Sequence, residues 1–419
     1  MKFPALFRQA RWQAAGLLAL GAAVNYGDRA AMSSALPALR DAFHLSNASL
    51  GLIGSVFLWS YAISSPVAGH LADRFTRNQI VVQSLACWSL IMALTGFSTG
   101  LAVLLLLRVA LGFSESLYLP AAIALIGDHH PSQTRARAMN VMIIGISCGV
   151  IVGGALAGIF AEHLGWRSVF WILGGAGLVL ALVFRRFLPP ASVPAFAPKH
   201  ASPPRVREVL HYLVQVPSYY ILLAKAVLAG VAFWIFSTWL PLYFKESFGM
   251  SLGMAGFTGN FLPEFSALLG LAAGAWISDY IARYSVRQRM LAEALGYLVA
   301  APCLLLFVGR PSFAIVAVAL AAFNFFHGVG DANEASIMCE IIPSRYRSTA
   351  IGIQNTCATT AGGCGVFFAG IMKQQLGLNT IFAMTAALVA AAAVLFGLGY
   401  AFFVPRDLAR AIAASGEAT

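Results

Sequence analysis

The chain has 419 residues, 59% of them hydrophobic and only 10% charged. Soluble domains carry roughly 25% charged residues, so this deficit excludes a soluble globular protein and indicates an integral membrane protein. The net charge of +11 would suggest a polyanion partner in a soluble chain, but here the cations follow membrane topology and no nucleic-acid partner is expected.

Segments long enough to span a bilayer lie at 12–36, 47–70, 79–98, 101–127, 138–160, 166–186, 217–243, 251–278, 289–308, 312–340, 349–372 and 379–404. Twelve spans put both termini on one side, and placing them in the cytoplasm leaves 19 of the extramembrane Lys and Arg residues there. Only five, Arg40, Arg167, Lys245, Arg310 and Lys373, face the opposite side, as the positive-inside rule requires. Lys2, Arg8 and Arg11 precede the first apolar stretch, but no small-x-small cleavage site follows it, so an uncleaved helix is expected rather than a signal peptide.

The first span contains Asn25-Tyr26-Gly27-Asp28-Arg29. A charge at the bilayer centre costs at least ~3 kcal/mol, so it persists mainly where it is partnered or lines a wet cavity. The fourth span holds Arg108 and Glu115. Seven residues turn a helix almost twice, which places both on one face about 10 Å apart along the axis. In span five, Gly145, Gly149 and Gly153 recur at four-residue spacing, which lets helices approach closely. Lys225, near the start of span seven, is expected to snorkel to the cytoplasmic interface. Glu264 follows Pro263 in span eight with no interface to escape to. Asp331 and Glu334, three apart in span ten, share a face and offer a second proton or cation site; His327 one turn earlier is expected to make a helix–helix hydrogen bond. Tyr26, Tyr118, Trp234, Trp239, Asn260, Phe261, Asn324 and Asn355 could line a sugar-sized cavity. All six cysteines fall within spans without metal-ligand or disulfide spacing, and they are expected to be small buried packers.

Residues 187–216 interrupt the apolar pattern with six prolines and read as a cytoplasmic linker. It divides the chain into 1–186, an N-terminal six-helix bundle, and 217–419, a C-terminal bundle with a short tail. The halves echo each other. Asp128-His-His-Pro131-Ser132-x-x-Arg135-x-x-Ala138 recurs as Glu340-Ile-Ile-Pro343-Ser344-x-x-Arg347-x-x-Ala350, shifted by 212 residues. Gly69-x-x-x-Asp73-x-x-x-Arg77 has a weaker counterpart in Asp279 and Arg283, shifted by 206. Parallel repeats of six helices are the architecture of transporters with a substrate site at the midplane.

Gly69-His70-Leu71-Ala72-Asp73-Arg74-Phe75-Thr76-Arg77-Asn78, in the loop after span two, resembles the signature G-x-L-a-D-r-x-g-r-k of the major facilitator superfamily. It departs at Thr76 and Asn78, where Gly and Lys are usual. The resemblance implies an all-α fold of 12 transmembrane helices in two pseudo-symmetric bundles. It also implies a cytoplasmic gate at Asp73, Arg74 and Arg77, with Asp279 and Arg283 in the second half. Within the superfamily, Asn25-Tyr26-Gly27-Asp28-Arg29, Arg108-x-x-x-Gly112-x-x-Glu115 and Thr238-Trp239-Leu240-Pro241-Leu242-Tyr243-Phe244 resemble the anion:cation symporter family. The lysolipid-carrying Spinster-like family shares the first two motifs. Span ten, Gly328-Val-Gly330-Asp331-Ala-Asn333-Glu334, is more acidic than a typical member.

The resemblance implies proton-coupled symport of a small organic anion, such as a sugar acid, by alternating access. Arg29 would dock the anion, Asp28 and Glu115 would exchange the proton, and Tyr26, Arg108, Tyr118, Trp239, Asn260, Glu264 and Asn355 would surround the substrate. A Spinster-like lysolipid carrier, a proton-coupled exporter and a transport-dead sensor are the alternatives. A membrane enzyme would need a nucleophile–base set or metal ligands, and no HExxH or Walker loop is present. The expected setting is a bacterial inner membrane, as a monomer with no cofactor.

Overall fold

The computed structural model describes residues 5–74, 76–189, 206–282, 288–404 and 406–407, and their regular structure is entirely helical. The first repeat is built from α1 (Ala5–Phe43), α2 (Asn47–Arg74), α3 (Arg77–Thr95), α4 (Leu101–Ser116), α5 (Tyr118–His129), α6 (Ser132–His163) and α7 (Trp166–Phe187). A short helix α8 (Val206–Val214) precedes the second repeat: α9 (Pro217–Phe248), α10 (Leu252–Ala282), α11 (Gln288–Cys303), α12 (Phe313–Asp331), α13 (Glu334–Ile341) and α14 (Ser344–Leu398).

Ten stretches among the described residues are long and apolar enough to cross a bilayer. One of these, Tyr346–Phe403, is two spans, because α14 breaks at Gly377 with φ 71°, a left-handed conformation that only glycine adopts without strain. The 39-residue α1, which carries Asp28 and Arg29, supplies the twelfth span. The chain is therefore an all-α, multi-pass membrane protein.

The fourth and tenth spans are each interrupted, for different reasons. Between α4 and α5 the cause is Pro120, whose missing N–H deprives the Ser116 carbonyl of its helical partner. Between α12 and α13 it is Asn333, whose side chain donates to Val329 O at 3.3 Å and Gly330 O at 3.4 Å and competes with the backbone ladder.

The chain packs as two units: residues 1–200 with Ser237–Phe261, and Ala201–Phe236 with the remainder. Each crossing within a helix lies about a turn or less before a proline, Pro241 in α9 and Pro263 in α10. In the first unit α1 lies against α6, α2 against α4 and α3 against α7. The α1–α6 seam is a close approach of backbones. A Cβ built on Gly149 would sit 2.1 Å from the Ala23 carbonyl oxygen, and one on Gly153 would sit 2.5 Å from the Gly27 Cα. Gly149→Ala is therefore expected to force the helices apart and cost ~1–3 kcal/mol. Gly16→Ala, with nothing within 4 Å of its Cβ, is the neutral control. Thermal unfolding of the two detergent-solubilised variants makes the comparison.

In the second unit α11 packs on α12 and α14. The end of the interrupting segment also belongs to this core. Val209 and Leu213 of α8 are buried with Tyr219, Leu222, Ile337 and Tyr346, and the Tyr346 hydroxyl donates to Glu208 at 2.7 Å.

The cysteines depart from expectation. Cys87, Cys148 and Cys339 are exposed and Cys303, Cys357 and Cys364 half-buried. The reason is physical: the lipid-facing surface of a membrane bundle is as apolar as its core, as exposed Leu106, Ile63 and Trp276 attest.

Candidate functional site

The intramembrane charges of the first unit converge from two helices, α1 and α4. Arg29 Nε on α1 donates to Glu115 Oε2 on α4 at 2.9 Å, and Arg29 Nη2 donates to Asn25 Oδ1 at 3.1 Å. The direct partner of Arg29 is thus Glu115, three helices along the chain, and not its neighbour Asp28. The guanidinium carbon stands 4.5 Å from the Tyr26 ring centroid, 4.6 Å from that of Tyr61 and 5.2 Å from that of Phe57. This aromatic collar shields the cation while its side chain keeps 10% exposure, an accessible edge that Glu115, at 0%, lacks.

Arg108, one helical face along from Glu115, is buried over the Phe57 ring at 4.5 Å. Asp28 is buried within electrostatic reach of Glu115, Arg108 and Arg29. Several of the buried polar atoms here lack a hydrogen-bond partner: Asn25 Nδ2, Asp28 Oδ2, Arg108 Nε and Nη1, and Glu115 Oε1. Buried polar groups are normally satisfied, so such a concentration is the mark of a site that trades partners. Two cations and two carboxylates are balanced here, with spare hydrogen-bonding capacity on both signs.

Two expected lining residues belong to the packing instead. Tyr118 is fully buried, packs edge-on against Trp88 and donates its hydroxyl to Leu18 O at 2.7 Å, tying α5 to α1. Trp239 is likewise 0% exposed and has no surface to line a cavity with. Asn260 donates to Gly256 O at 2.7 Å within its own helix, and Asn324 does the same to Leu320 O at 2.8 Å. Phe261 stacks on Phe257, Trp234 lies against Gly362, Glu264 is half-buried and Asn355 is exposed.

The second unit gathers a cluster that the sequence reading anticipates only in part. Lys225 does not snorkel. Its side chain is 3% exposed, and its ammonium lies 2.9 Å from Asp331, 2.8 Å from Glu334 and 3.0 Å from Glu293. Asp331 and Glu334 are thus brought together as expected. His327 meets the Tyr297 hydroxyl at 3.1 Å and Asp331 Oδ2 at 3.2 Å. Glu293 was not anticipated, because it sits five residues into a span that opens beside arginines and reads as a boundary charge. The available signal was Arg289, Glu293 and Tyr297 at four-residue spacing on one helical face.

At the ends of the spans the two repeats carry equivalent ion pairs. Arg77 on α3 pairs with Asp128 on α5, and Arg289 on α11 pairs with Glu340 on α13 at 2.5 Å. Both partners are shifted by 212 residues, so the counterpart of Arg77 is Arg289 and not Arg283. Arg135 and Arg347 repeat the relation, donating to Gly127 O at 3.3 Å and Cys339 O at 2.6 Å. Of the other gate candidates, Asp279 is exposed near the end of α10. The side chains of Asp73 and Arg74, and Arg283 as a whole, lie outside the described residues.

Residues 18–365 match the sequence model of the Major Facilitator Superfamily. Among curated proteins, the hexuronate transporter of Bacillus subtilis (strain 168) is 27% identical over 374 residues, covering 86% of this chain and 87% of the relative. The human voltage-gated purine nucleotide uniporter SLC17A9 is 24% identical over 382 residues, covering 86% of this chain and 85% of the relative. Among solved structures, a bacterial homologue of the human lysosomal transporter Spinster, in an inward-facing and unoccupied conformation, superposes with a TM-score of 0.79 at 20% identity. That match covers 95% of this chain and 98% of the other.

Proposed function

The chain belongs to the Major Facilitator Superfamily of transport proteins, and from that premise we propose that it carries a small organic anion together with a proton by alternating access. The observation that supports this most is the part-buried Arg29–Glu115 pair inside a quartet of two cations and two carboxylates. With all four groups charged the quartet is neutral. An anion docking on the accessible edge of Arg29 adds a negative charge in a dry setting and competes with Glu115 for the guanidinium. Protonation of Glu115 restores neutrality and releases Arg29, so each ligand favours the other's binding. Buried Arg108 is the second cation that balances Asp28, and Asp28, with a spare oxygen, is the second carboxylate able to exchange the proton.

Arg29 is the anion anchor because a guanidinium matches a carboxylate with two parallel donors. Tyr26 flanks it, and Asn260, Glu264 and Asn355 remain substrate contacts to be tested. A sugar acid fits the relative named a hexuronate transporter, and a phosphate-bearing anion fits the one named a nucleotide uniporter; both present an oxyanion to arginine. In this reading residues 1–186 and 217–419 are the halves that rock, with 187–216 as linker. Asp73, Arg74 and Arg77 in the first half and Asp279 in the second are the gate residues of their own halves, both termini are cytoplasmic, and the protein works as a monomer in a bacterial inner membrane.

A thermal-shift comparison tests the substrate class. D-glucuronate at about 100 times its Kd is expected to stabilise the purified protein by ~2.7 kcal/mol, while lysophosphatidylcholine leaves the unfolding temperature unchanged. Stabilisation by the lysolipid alone would overturn the organic-anion reading in favour of a lipid carrier.

A further inference from the structure

The cluster around Lys225 plays no part in the mechanism above, and its charges do not balance. One ammonium faces three carboxylates, Glu293, Asp331 and Glu334, whose oxygens lie within 4.8 Å of one another. Two of the three have further donors. The Tyr297 hydroxyl donates to Asp331 Oδ1 at 2.6 Å with His327 on the other oxygen, and Gln354 Nε2 donates to Glu334 Oε1. Lys225 itself donates to Asp331 and Glu334.

Glu293 differs from both. It is 0% exposed, Lys225 Nζ at 3.0 Å from Oε1 is its one polar neighbour among the described residues, and Oε2 accepts no hydrogen bond. An ionised carboxylate so placed bears its full desolvation cost and the repulsion of two neighbouring anions, against a single shared cation. A proton on Glu293 removes both costs and leaves Lys225 to the two carboxylates it already bonds. A metal ion is the poorer occupant, because the Lys225 ammonium, 2.8 to 3.0 Å from all three carboxylates, fills the point where they converge.

We propose that Glu293 is a second proton-binding site, set in the C-terminal repeat, with Lys225 as the tethered cation that discharges it. When the ammonium bonds Asp331 and Glu334, as here, Glu293 holds the proton. When the ammonium, already 3.0 Å from Oε1, turns a hydrogen onto Glu293, the O–H bond breaks and the proton leaves to water. Among the described residues the titratable groups facing it are Lys225 from α9, Tyr297 from α11, His327 and Asp331 from α12, and Glu334 from α13; α14 contributes the uncharged Gln354. Proton occupancy of Glu293 is independent of the roles given to Arg29 and Glu115, whereas its use as a second coupled proton rests on that reading.

The test is substrate-free. Infrared difference spectra of the full-length protein in lipid nanodiscs, recorded between acid and alkaline pH, report the C=O stretch of protonated carboxyl groups. A pH-indicator titration counts the protons released. Glu293→Gln is expected to lose one such band and one proton per chain, and the same loss is expected in a Glu115→Gln background. Should Glu293→Gln fail to fold, Asp331→Asn removes a neighbouring anion and is expected to move the Glu293 band's midpoint about one pH unit lower. A band set and proton count unchanged by Glu293→Gln would overturn the proposal. So would an unmoved midpoint in Asp331→Asn, or loss of the wild-type band at constant pH on adding sodium or calcium.

Discussion

Arg29→Lys is expected to weaken D-glucuronate binding roughly 10- to 100-fold. The substitution keeps the positive charge, so the quartet with Asp28, Arg108 and Glu115 stays balanced and the fold is not asked to bury an extra carboxylate. What is lost is geometry. The guanidinium spends Nε on Glu115 and Nη2 on Asn25 and still presents an edge at 10% exposure. A lysine ammonium is a point donor that cannot hold Glu115 and Asn25 while pairing in plane with a second carboxylate. Charge-assisted hydrogen bonds contribute ~1.5–3 kcal/mol each, and every 1.4 kcal/mol is about tenfold in affinity. Calorimetric titration of the two proteins measures the change, with the unliganded unfolding temperature as a folding control. Equal affinities would make Arg29 a structural cation.

Glu115→Gln is expected to abolish accumulation driven by a proton gradient while sparing substrate exchange. Glutamine matches protonated glutamate in shape and still offers a carbonyl oxygen to Arg29 Nε, but it has no proton to release. The loaded carrier can then exchange substrate for substrate, whereas the empty carrier cannot regenerate the ionised state needed for net turnover. The motivation is the position of Glu115: fully buried, bonded to Arg29 through Oε2, with Oε1 unsatisfied. Proteoliposome counterflow without a gradient, run beside gradient-driven uptake, separates the steps. Full gradient-driven accumulation in the variant would reduce the pair to a structural clamp, and loss of counterflow as well would move Glu115 into binding or folding.

Much of this was legible in the sequence, because a bilayer imposes its thickness on the hydropathy pattern. The twelve spans and the internal repeat follow from residues in order along the chain. The choice of partners does not, since it depends on how helices rotate against one another. Arg29 and Asp28 are neighbours in sequence, yet the long Arg29 side chain reaches from α1 to Glu115 on α4. The same dependence made Arg283 look like the counterpart of Arg77, when the repeated ion pair singles out Arg289. Lys225 reads as an interfacial lysine only while its distance from the span's end is the sole information. Three carboxylates arriving from α11, α12 and α13 reverse that reading. Tyr118 and Trp239 show the same limit for aromatics, whose burial against neighbours is invisible to a pattern that marks them only as present.

The most direct test of the coupling itself uses wild-type proteoliposomes with no imposed gradient and a pH-sensitive dye trapped inside. Adding D-glucuronate outside should acidify the lumen as the anion enters with its proton, and the signal should vanish in Glu115→Gln vesicles. Entry of labelled glucuronate without lumenal acidification would contradict the account.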